Sequence, residues 1–423
     1  MIWDFDGVDM MRDFIELMRE KDLVTDVEEE VSSVYEAPKM AAETDKLLFF
    51  HKLDKVHRGV MNVTASRKAI SLALGYDEKD VVRSLSSAGY DGVVNNAGQL
   101  NMHPPDLFSL PVMRHYPLDA GRYLTSAIVF SEYGGVTNAS IHRMLVLDEK
   151  RLVARLVEGR HTYNLLRAAL ENGDRLPVAI TIGTHPRVTF ASCTRVPTGK
   201  ELQYAAELSG GEMNVFECEN GVHVPDAEIV LEGYITGDKT DEGPFVDITG
   251  TYDPVRPAPV IELTGMHLRN DPIFHGILPG GNEHKLLMGM PYEPKIYRAV
   301  GEVTTVRNVS LTTGGCGYLH GVVQVRKNTQ GDAKNAIMAA FAAHTSLKHV
   351  VIVDEDIDIY DMEDVEYAIA TRVRGDRDLM VIEGARGSSL DPCRIGDGTN
   401  VKIGVDATMV MGEEKNFVRA GWD

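Results

Sequence analysis

Two carboxylates flank a Gly-Pro-Phe turn in Glu242-Gly-Pro-Phe-Val-Asp247, inside an otherwise extended, apolar-rich stretch. Proline fixes the backbone there, so both acids are held in place rather than left waving in solvent. Two acids in one confined place tend to have split pKa values, which lets one keep its proton and donate it. An ordinary surface loop with scattered acids gives the same string. Asn138-Ala-Ser-Ile-His-Arg143 follows the flexible pair Gly134-Gly135 and sets an arginine between Ile141 and Leu145 in same-face parity. That parity points the Arg143 guanidinium into an enclosed space, where it needs an anion. The anion is either a core carboxylate or a substrate carboxylate, which the guanidinium fork matches with two parallel bonds.

His161 follows Glu158-Gly-Arg160 and opens a helix, a place where histidines also serve as caps or core residues. Thr198-Gly-Lys-Glu201 reads as a Thr-x-x-Glu capping box, which accounts for Glu201 without any chemistry. Taken together, Asn138, His161 and Glu201 offer O, N and O ligands suited to Mn2+ or Mg2+. Asp354-Glu-Asp-Ile-Asp358 resembles a metal-binding acid cluster and equally the solvated end of a strand. Gly314-Gly-Cys-Gly317 lacks the Lys-Ser/Thr of a P-loop, and no Gly-x-Ser-x-Gly elbow supports serine hydrolysis.

The elements that must carry these residues are legible in outline. Phe14, Ile15, Leu17 and Met18 fall at helical spacing, so 11–21 reads as an amphipathic helix. Leu47–Phe50 and Val60–Val63 read as strands, and Ser66–Leu74 as a helix stopped by Gly75. Pro104, Pro105, Pro111 and Pro117 punctuate a linker-like stretch. The middle third is strand-rich: Thr125–Phe130, Ser140–Leu147, Val178–Ile182, Ala227–Ile235 and Val260–Leu263. Within it, Ala227, Ile229, Leu231 and Ile235 share one face. Helices are expected at His161–Leu170, ended by Gly173, and at Glu201–Leu208, ended by Gly210-Gly211. So many strands with so few helices suggest a barrel more than a parallel sheet. After about Tyr297 strands and helices alternate: Val322–Val325, Ala333–His344, Val350–Val353, Val365–Thr371 and Leu379–Ile382.

The chain has 423 residues, room for two or three domains, and 43% hydrophobic with 25% charged residues is ordinary for a soluble protein. A formal net charge of -20 argues against a nucleic-acid partner, and it means that any anion site must be a local cluster of cations or a metal. Cys193, Cys218, Cys316 and Cys393 form no Cys-x-x-Cys pair and read as reduced thiols of a cytoplasmic protein. Met1-Ile-Trp-Asp-Phe-Asp is acidic, unlike a secretory leader, and Met11 offers an alternative start. No apolar run approaches membrane-spanning length.

In combination these segments resemble the UbiD family of decarboxylases, which use prenylated flavin mononucleotide (prFMN). The resemblance runs from Met11-Arg-Asp-Phe-Ile to Lys402-Ile-Gly-Val-Asp-Ala-Thr408. It rests on Asn138-x4-Arg143, His161, Glu201-x2-Tyr204-Ala205, Pro225-x-Ala-Glu-Ile-Val-Leu-Glu-Gly233 and Glu242-Gly-Pro-Phe-x-Asp247, with Val351–Asp358 and Ala370-Thr-Arg372 in support. It implies a mixed α/β (α+β) protein in three parts: an N-terminal α/β domain over 1–110, a central split β-barrel flavin-binding and catalytic domain over 111–297, and a C-terminal α/β domain over 298–423, used for oligomerisation.

The same resemblance implies roles. Asn138, His161 and Glu201 hold a divalent metal, usually manganese, that clamps the cofactor phosphate. Ser140, Ile141, His142 and Arg143 line the flavin, with Arg160 beside His161. Potassium binds close by, through Glu201, the backbone around Ala191, Ser192 and Thr194, and the vicinity of Arg372. Arg143, Glu242 and Asp247 form the catalytic network: Arg143 grips the substrate carboxylate, Glu242 holds Arg143, and Asp247 delivers a proton. Some members carry Glu where Asp247 stands. Some also place a lysine on the cofactor phosphate; here either Lys348 or His344 takes that role or no residue does. The implied partners are a flavin prenyltransferase that supplies the cofactor and further copies of the chain, as a dimer or hexamer.

The overall wording is most similar to an archaeal subgroup acting on trans-anhydromevalonate 5-phosphate, giving isopentenyl phosphate and CO2 in a modified mevalonate route to isoprenoids. A phosphorylated acid needs cations beyond Arg143, and Arg195, Arg187 and His185 in the His185-Pro-Arg187…Arg195 segment are the candidates; the other reading of this segment is a loop with surface cations. The rival substrates are aromatic acids of the 4-hydroxybenzoate type used in quinone biosynthesis; a 7% aromatic content weighs mildly against them. A rival of another class is an FMN-binding split-barrel reductase or storage protein, which has no use for a proton donor beside a carboxylate-binding arginine. A non-catalytic homologue serving as an assembly subunit would not keep the whole residue set.

Overall fold

The computed structural model describes residues 10–420, so the opening segment read above for a leader lies outside the described residues. The chain divides into two compact units: residues 1–78 with 88–287, and residues 79–87 with 288–423.

The first unit is organised by an eight-stranded antiparallel sheet. From one end its strands are Tyr123–Leu124, Met144–Val146, Arg151–Ala154, Arg256–Leu268, Ala227–Glu242, Leu176–Thr184, Ile128–Tyr133 and Val136–Ile141. His142 and Arg143 alone connect the last of these strands to the second. So short a link between opposite ends forces the sheet to curl, and it forms a half-barrel. This corrects the expectation of one strand over Ser140–Leu147. Ile141 pairs with Ile128, whereas Met144 pairs with Ala154, and Arg143 sits where the chain changes partner. The Ala227–Glu242 strand departs from simple alternation too. Ala227 through Gly233 are all buried, because this strand lies mid-sheet with elements packed on both faces.

A second sheet in the first unit orders Val24–Val31, Leu47–Leu53, His57–Met61 and Ile273–His275. The helix Met11–Glu20 presents Phe14, Ile15 and Met18 to a core shared with Leu47, Phe49 and Val60. Arg67–Leu74 is capped by the Ser66 hydroxyl and stopped by Gly75 in a left-handed conformation (φ 72°).

The segment Pro186–Cys193 is helical, although its proline and cations read as loop. Proline suits the first turn of a helix, and the His185 side chain caps it by accepting from the Arg187 amide at 3.1 Å. His161–Glu171 and Glu201–Leu208 are helices as expected.

The second unit holds a five-stranded mixed sheet in the order Thr305–Leu311, His320–Arg326, His349–Val353, Thr399–Ala407 and Leu379–Arg386. The helices Asp332–Ala343 and Met362–Arg372 accompany it. The strands Thr305–Leu311 and Thr399–Ala407 were not anticipated. All four cysteines are free thiols. Among the described residues, no helix is long and apolar enough to cross a membrane.

Candidate functional site

The strand Ala227–Glu242 ends at the first acid of the Gly-Pro-Phe turn, and Phe245–Val246 then pairs with Tyr252–Asp253 as a short hairpin. The Asp247 carbonyl accepts the Gly250 amide at 2.8 Å, which closes the hairpin turn. This places Glu242, Asp247 and Asp253 around one guanidinium. Arg143 Nε donates to Glu242 Oε1 at 2.9 Å, and Nη2 to Oε2 at 2.9 Å. Nη1 donates to Asp247 Oδ2 at 3.3 Å, and Nη2 also to Asp253 Oδ2 at 2.8 Å.

The pair is enclosed: the Glu242 side chain is 0% exposed and that of Arg143 11%. Burial alone would lower the Arg143 pKa. The hydrogen bond and charge of Glu242, with the charges of Asp253 and Asp247, outweigh it and raise the value. Arg143 therefore stays charged.

Aromatic rings pack against the Arg143 guanidinium and its neighbours. The Phe245 ring centre lies 4.9 Å from the Arg143 Cζ and 4.3 Å from the Tyr123 ring. The Tyr123 hydroxyl accepts the Gly243 amide at 3.2 Å. Burial, followed by the charge of Glu242, pushes the Tyr123 phenol pKa up. Sequence reasoning missed Asp253 and Tyr123. The only signal for Asp253 was its position just past Gly250-Thr-Tyr252; Tyr123 left none.

Asn138, His161 and Glu201 come from three different elements of the same unit. Glu201 is the first residue of its helix, whose N-cap is Lys200, so the capping-box reading is corrected. Its Oε1 lies 3.4 Å from His161 Nδ1, while its buried Oε2 has no hydrogen-bond partner. Burial raises its pKa, with backbone and His161 interactions pulling the other way. Asn138 Nδ2 donates to Ser140 Oγ at 3.1 Å and Thr162 Oγ1 at 3.0 Å, so its amide oxygen is the atom left for a cation.

His142 completes this polar group, with Nε2 2.9 Å from Ser140 Oγ and 3.0 Å from Thr162 Oγ1, and Nδ1 3.1 Å from the Arg155 carbonyl. Burial pushes the His142 pKa down to about 4, so the ring is neutral near pH 7. A cavity of about 250 Å3 adjoins the group and is lined by Asn138, Glu201, Ser131, Gln203 and His223 among others. Ser131 Oγ and Gln203 Oε1 are likewise without partners. An orphaned buried carboxylate oxygen in an O, N, O set fits a divalent cation. Among the described residues no three His, Cys, Asp or Glu side chains gather as a metal site, so the fit depends on Asn138.

The remaining candidates lie as follows. Arg160 is the exposed N-cap of the His161–Glu171 helix, and Ile141 ends its strand beside His142. Ala191 and Ser192 are buried near the end of Pro186–Cys193, where the Ala191 carbonyl accepts the Thr194 amide at 3.0 Å. Arg187 is only 1% exposed and its Nε donates to the Ala73 carbonyl at 2.8 Å. His185 packs edge-on against Phe14. Neither side chain is the loop cation that the sequence suggested; Arg195, just beyond the helix, is exposed. Arg372 belongs to the second unit and is buried against Asp354 and Asp356, with Nη2 2.6 Å from Asp356 Oδ2. The acidic run is thus partly an ion-pair partner and not merely a solvated strand end. In that unit Lys348 Nζ lies 3.0 Å from Asp391, and His344 Nε2 3.1 Å from the Tyr318 carbonyl.

Comparison with known proteins agrees with this architecture. Residues 15–88, 91–282 and 285–407 match the N-terminal, Rift-related and C-terminal domains of 3-octaprenyl-4-hydroxybenzoate carboxy-lyase. The chain is 53% identical over 415 residues to the anhydromevalonate phosphate decarboxylase of Methanosarcina mazei, covering 97% of this chain and 98% of that one. The Methanothermobacter thermautotrophicus protein of the same name is 46% identical, covering 97% and 99%. Among solved structures, the UbiD-class enzyme HmfF from Pelotomaculum thermopropionicum in complex with FMN superposes with a TM-score of 0.93 at 34% identity, covering 97% of each chain. An evolved dimeric form of that enzyme in complex with prFMN gives 0.90 at 32% identity, covering 98% and 97%. Domain matches along nearly the whole chain, together with the high identity to full-length relatives, establish that this protein belongs to the UbiD family of carboxy-lyases.

Proposed function

We propose that the chain decarboxylates trans-anhydromevalonate 5-phosphate to isopentenyl phosphate, using prFMN, Mn2+ or Mg2+, and K+. The observation that carries this is Arg143, fixed on both nitrogens of one edge by the fully buried Glu242, with Asp247 on its remaining nitrogen. Relatives of that printed name, 42–53% identical, supply the substrate.

In this reading Asn138, His161 and Glu201 hold the divalent ion and, through it, the cofactor phosphate. Ser140, Ile141, His142 and Arg160 line the cofactor, and K+ sits near Glu201. When bound, prFMN supplies the sink for the electron pair released as the carbon–carboxylate bond breaks. The protein's own residues do the rest. Glu242 occupies Nε and one Nη2 hydrogen of Arg143, so Nη1 is the nitrogen that faces a substrate carboxylate. Arg143 orients that carboxylate for departure as CO2. Asp247, at the same Nη1, delivers its proton to the carbon and is recharged from solvent. Neutral His142 adds no charge to the cofactor wall.

The proposal extends to a cytoplasmic homo-oligomer, dimer or hexamer, supplied with cofactor by a flavin prenyltransferase. It divides the chain into parts at 1–110, 111–297 and 298–423, the last used for assembly. The test is anaerobic reconstitution with prFMN, Mn2+ and K+, followed by CO2 release from trans-anhydromevalonate 5-phosphate and from 4-hydroxybenzoate-type acids. Turnover of the phosphorylated acid is expected; turnover of the aromatic acids alone would replace the substrate and keep the family chemistry.

A further inference from the structure

The acids around Arg143 have already claimed most of its N–H hydrogens. Glu242 takes the Nε hydrogen and one Nη2 hydrogen at 2.9 Å each, which fills one edge of the guanidinium. Asp253 Oδ2 takes the second Nη2 hydrogen at 2.8 Å, and Asp247 Oδ2 takes one from Nη1 at 3.3 Å. A carboxylate gripped by two parallel bonds needs two N–H groups on one edge. The edge left for it runs from Nη1 to Nη2, and Asp253 stands on half of it. An incoming acid must therefore settle for Nη1 alone or displace Asp253.

The acids differ in their freedom to leave. Glu242 is 0% exposed and ends a long strand. Asp253 belongs to the two-residue strand Tyr252–Asp253, and its side chain is 20% exposed. Its other oxygen, Oδ1, accepts from Arg256 Nη2. Arg256 stands opposite Glu242 in the antiparallel ladder, so it is held close to the same site. Asp253 thus bridges two arginines and keeps a charged partner when it gives up Arg143, which spares it the cost of a stranded charge. Against burial, the bond and charge of Glu242 do most to raise the Arg143 pKa, and the charge of Asp253 comes next, ahead of Asp247. Asp253 is therefore a real competitor for any anion that approaches Arg143.

We propose that Asp253 is a placeholder for the substrate carboxylate. It holds the Nη2 end of Arg143 until the acid arrives, then turns to Arg256 alone and leaves Nη1 and Nη2 together to the acid. This rests on the reading of Arg143 as the carboxylate-binding residue and names the group that makes room there. The exchange selects for acids, because a neutral group is too weak an acceptor to displace a carboxylate from a guanidinium. Once CO2 has left, Asp253 returns to Nη2, and nothing on that edge retains the product.

The test is anaerobic calorimetry on the reconstituted holoenzyme with the saturated phosphorylated acid and with isopentenyl phosphate, which lacks the carboxylate. Asp253→Asn is expected to bind the saturated acid about 10-fold more tightly, the scale of one charge-assisted hydrogen bond. Arg256→Met leaves Asp253 to Arg143 and should bind it about 10-fold more weakly on the same scale. The double variant should behave as Asp253→Asn does, since the two residues act through one contact. Binding of isopentenyl phosphate and the bound-flavin absorbance should stay as in wild type throughout.

Acid binding that is unchanged or weaker in Asp253→Asn, or unchanged or tighter in Arg256→Met, overturns the assignment. Equal changes for both ligands would place these residues on the phosphate, and loss of flavin in Asp253→Asn would make its role structural; either result overturns it as well. Arg143→Met that binds the saturated acid as tightly as wild type instead removes the reading of Arg143 itself, and this assignment with it.

Discussion

At the scale of single residues, the site is a division of labour among carboxylates that look alike in sequence. Glu242 is fully buried and bonded to Arg143 through both oxygens, so it is an anchor; Asp247 makes one longer bond to Arg143 and is partly exposed. Replacing Glu242 by glutamine leaves one neutral oxygen and an amide NH2 where two charged oxygens held Arg143, so Asp247 and Asp253 become its remaining charged partners and shift the guanidinium. Glu242→Gln is therefore expected to lower kcat by about 100-fold, as for a misplaced substrate-positioning group, with bound-flavin absorbance preserved. Steady-state CO2 release with a flavin spectrum of the same sample checks this. The enclosed Arg143 and the two acids of the Gly-Pro-Phe turn were each legible as candidates, but their pairing came only from the resemblance. Asp253 was not, because its place opposite Phe245 comes from a two-residue hairpin with no period to detect.

At the scale of elements, helices with clear stops and long apolar strands were legible, and partner changes were not. The bend at His142-Arg143 is invisible to alternation, since parity runs unbroken through it while the ladder partner switches. Pro186 signalled a loop although it opens a helix, because proline at a first helical turn and proline in a turn look identical in one sequence. The half-barrel depends on close backbone approach at Gly233, where the register between Ala227–Glu242 and Arg256–Leu268 shifts. A Cβ there would stand 2.1 Å from the Glu262 carbonyl oxygen and 2.8 Å from the Leu263 Cα. Both are backbone atoms and cannot yield as a side chain would. Gly233→Ala is expected to destabilise the first unit by about 1–3 kcal/mol, the usual cost of overpacking, read as a lowered midpoint in denaturant unfolding. An unchanged midpoint would show that the ladder relaxes there.

At the scale of the whole molecule, the acidic balance leaves any anion site to local cations. Contacts spanning about a hundred residues, such as Arg143 to Glu242 (99 positions apart), could not be derived from spacing and were available only through resemblance. Acid stability is a property of this scale, because buried neutral histidines act on the entire folding equilibrium. His115 is 4% exposed with neither ring nitrogen hydrogen-bonded, and burial pushes its pKa from 6.5 down to about 3. The unfolded chain takes up that proton below about pH 6.5, while the folded chain does not until about pH 3. Stability is thus lost as pH falls through this window, by roughly 1.4 kcal/mol per pH unit for one such histidine. His142 adds a similar slope down to about pH 4. His115→Phe should flatten the loss between pH 6 and pH 4 by about that slope, in chemical-denaturation curves over the range.

The separation of roles between Asp247 and the cofactor-holding residues is tested most directly by Asp247→Asn in the reconstituted holoenzyme, with Glu201→Ala beside it. Product formation from trans-anhydromevalonate 5-phosphate should fall by about 100- to 10,000-fold in Asp247→Asn, while bound-flavin absorbance stays at the wild-type level; in Glu201→Ala the absorbance itself should be lost. Wild-type product formation by Asp247→Asn, or loss of its flavin, would contradict the account.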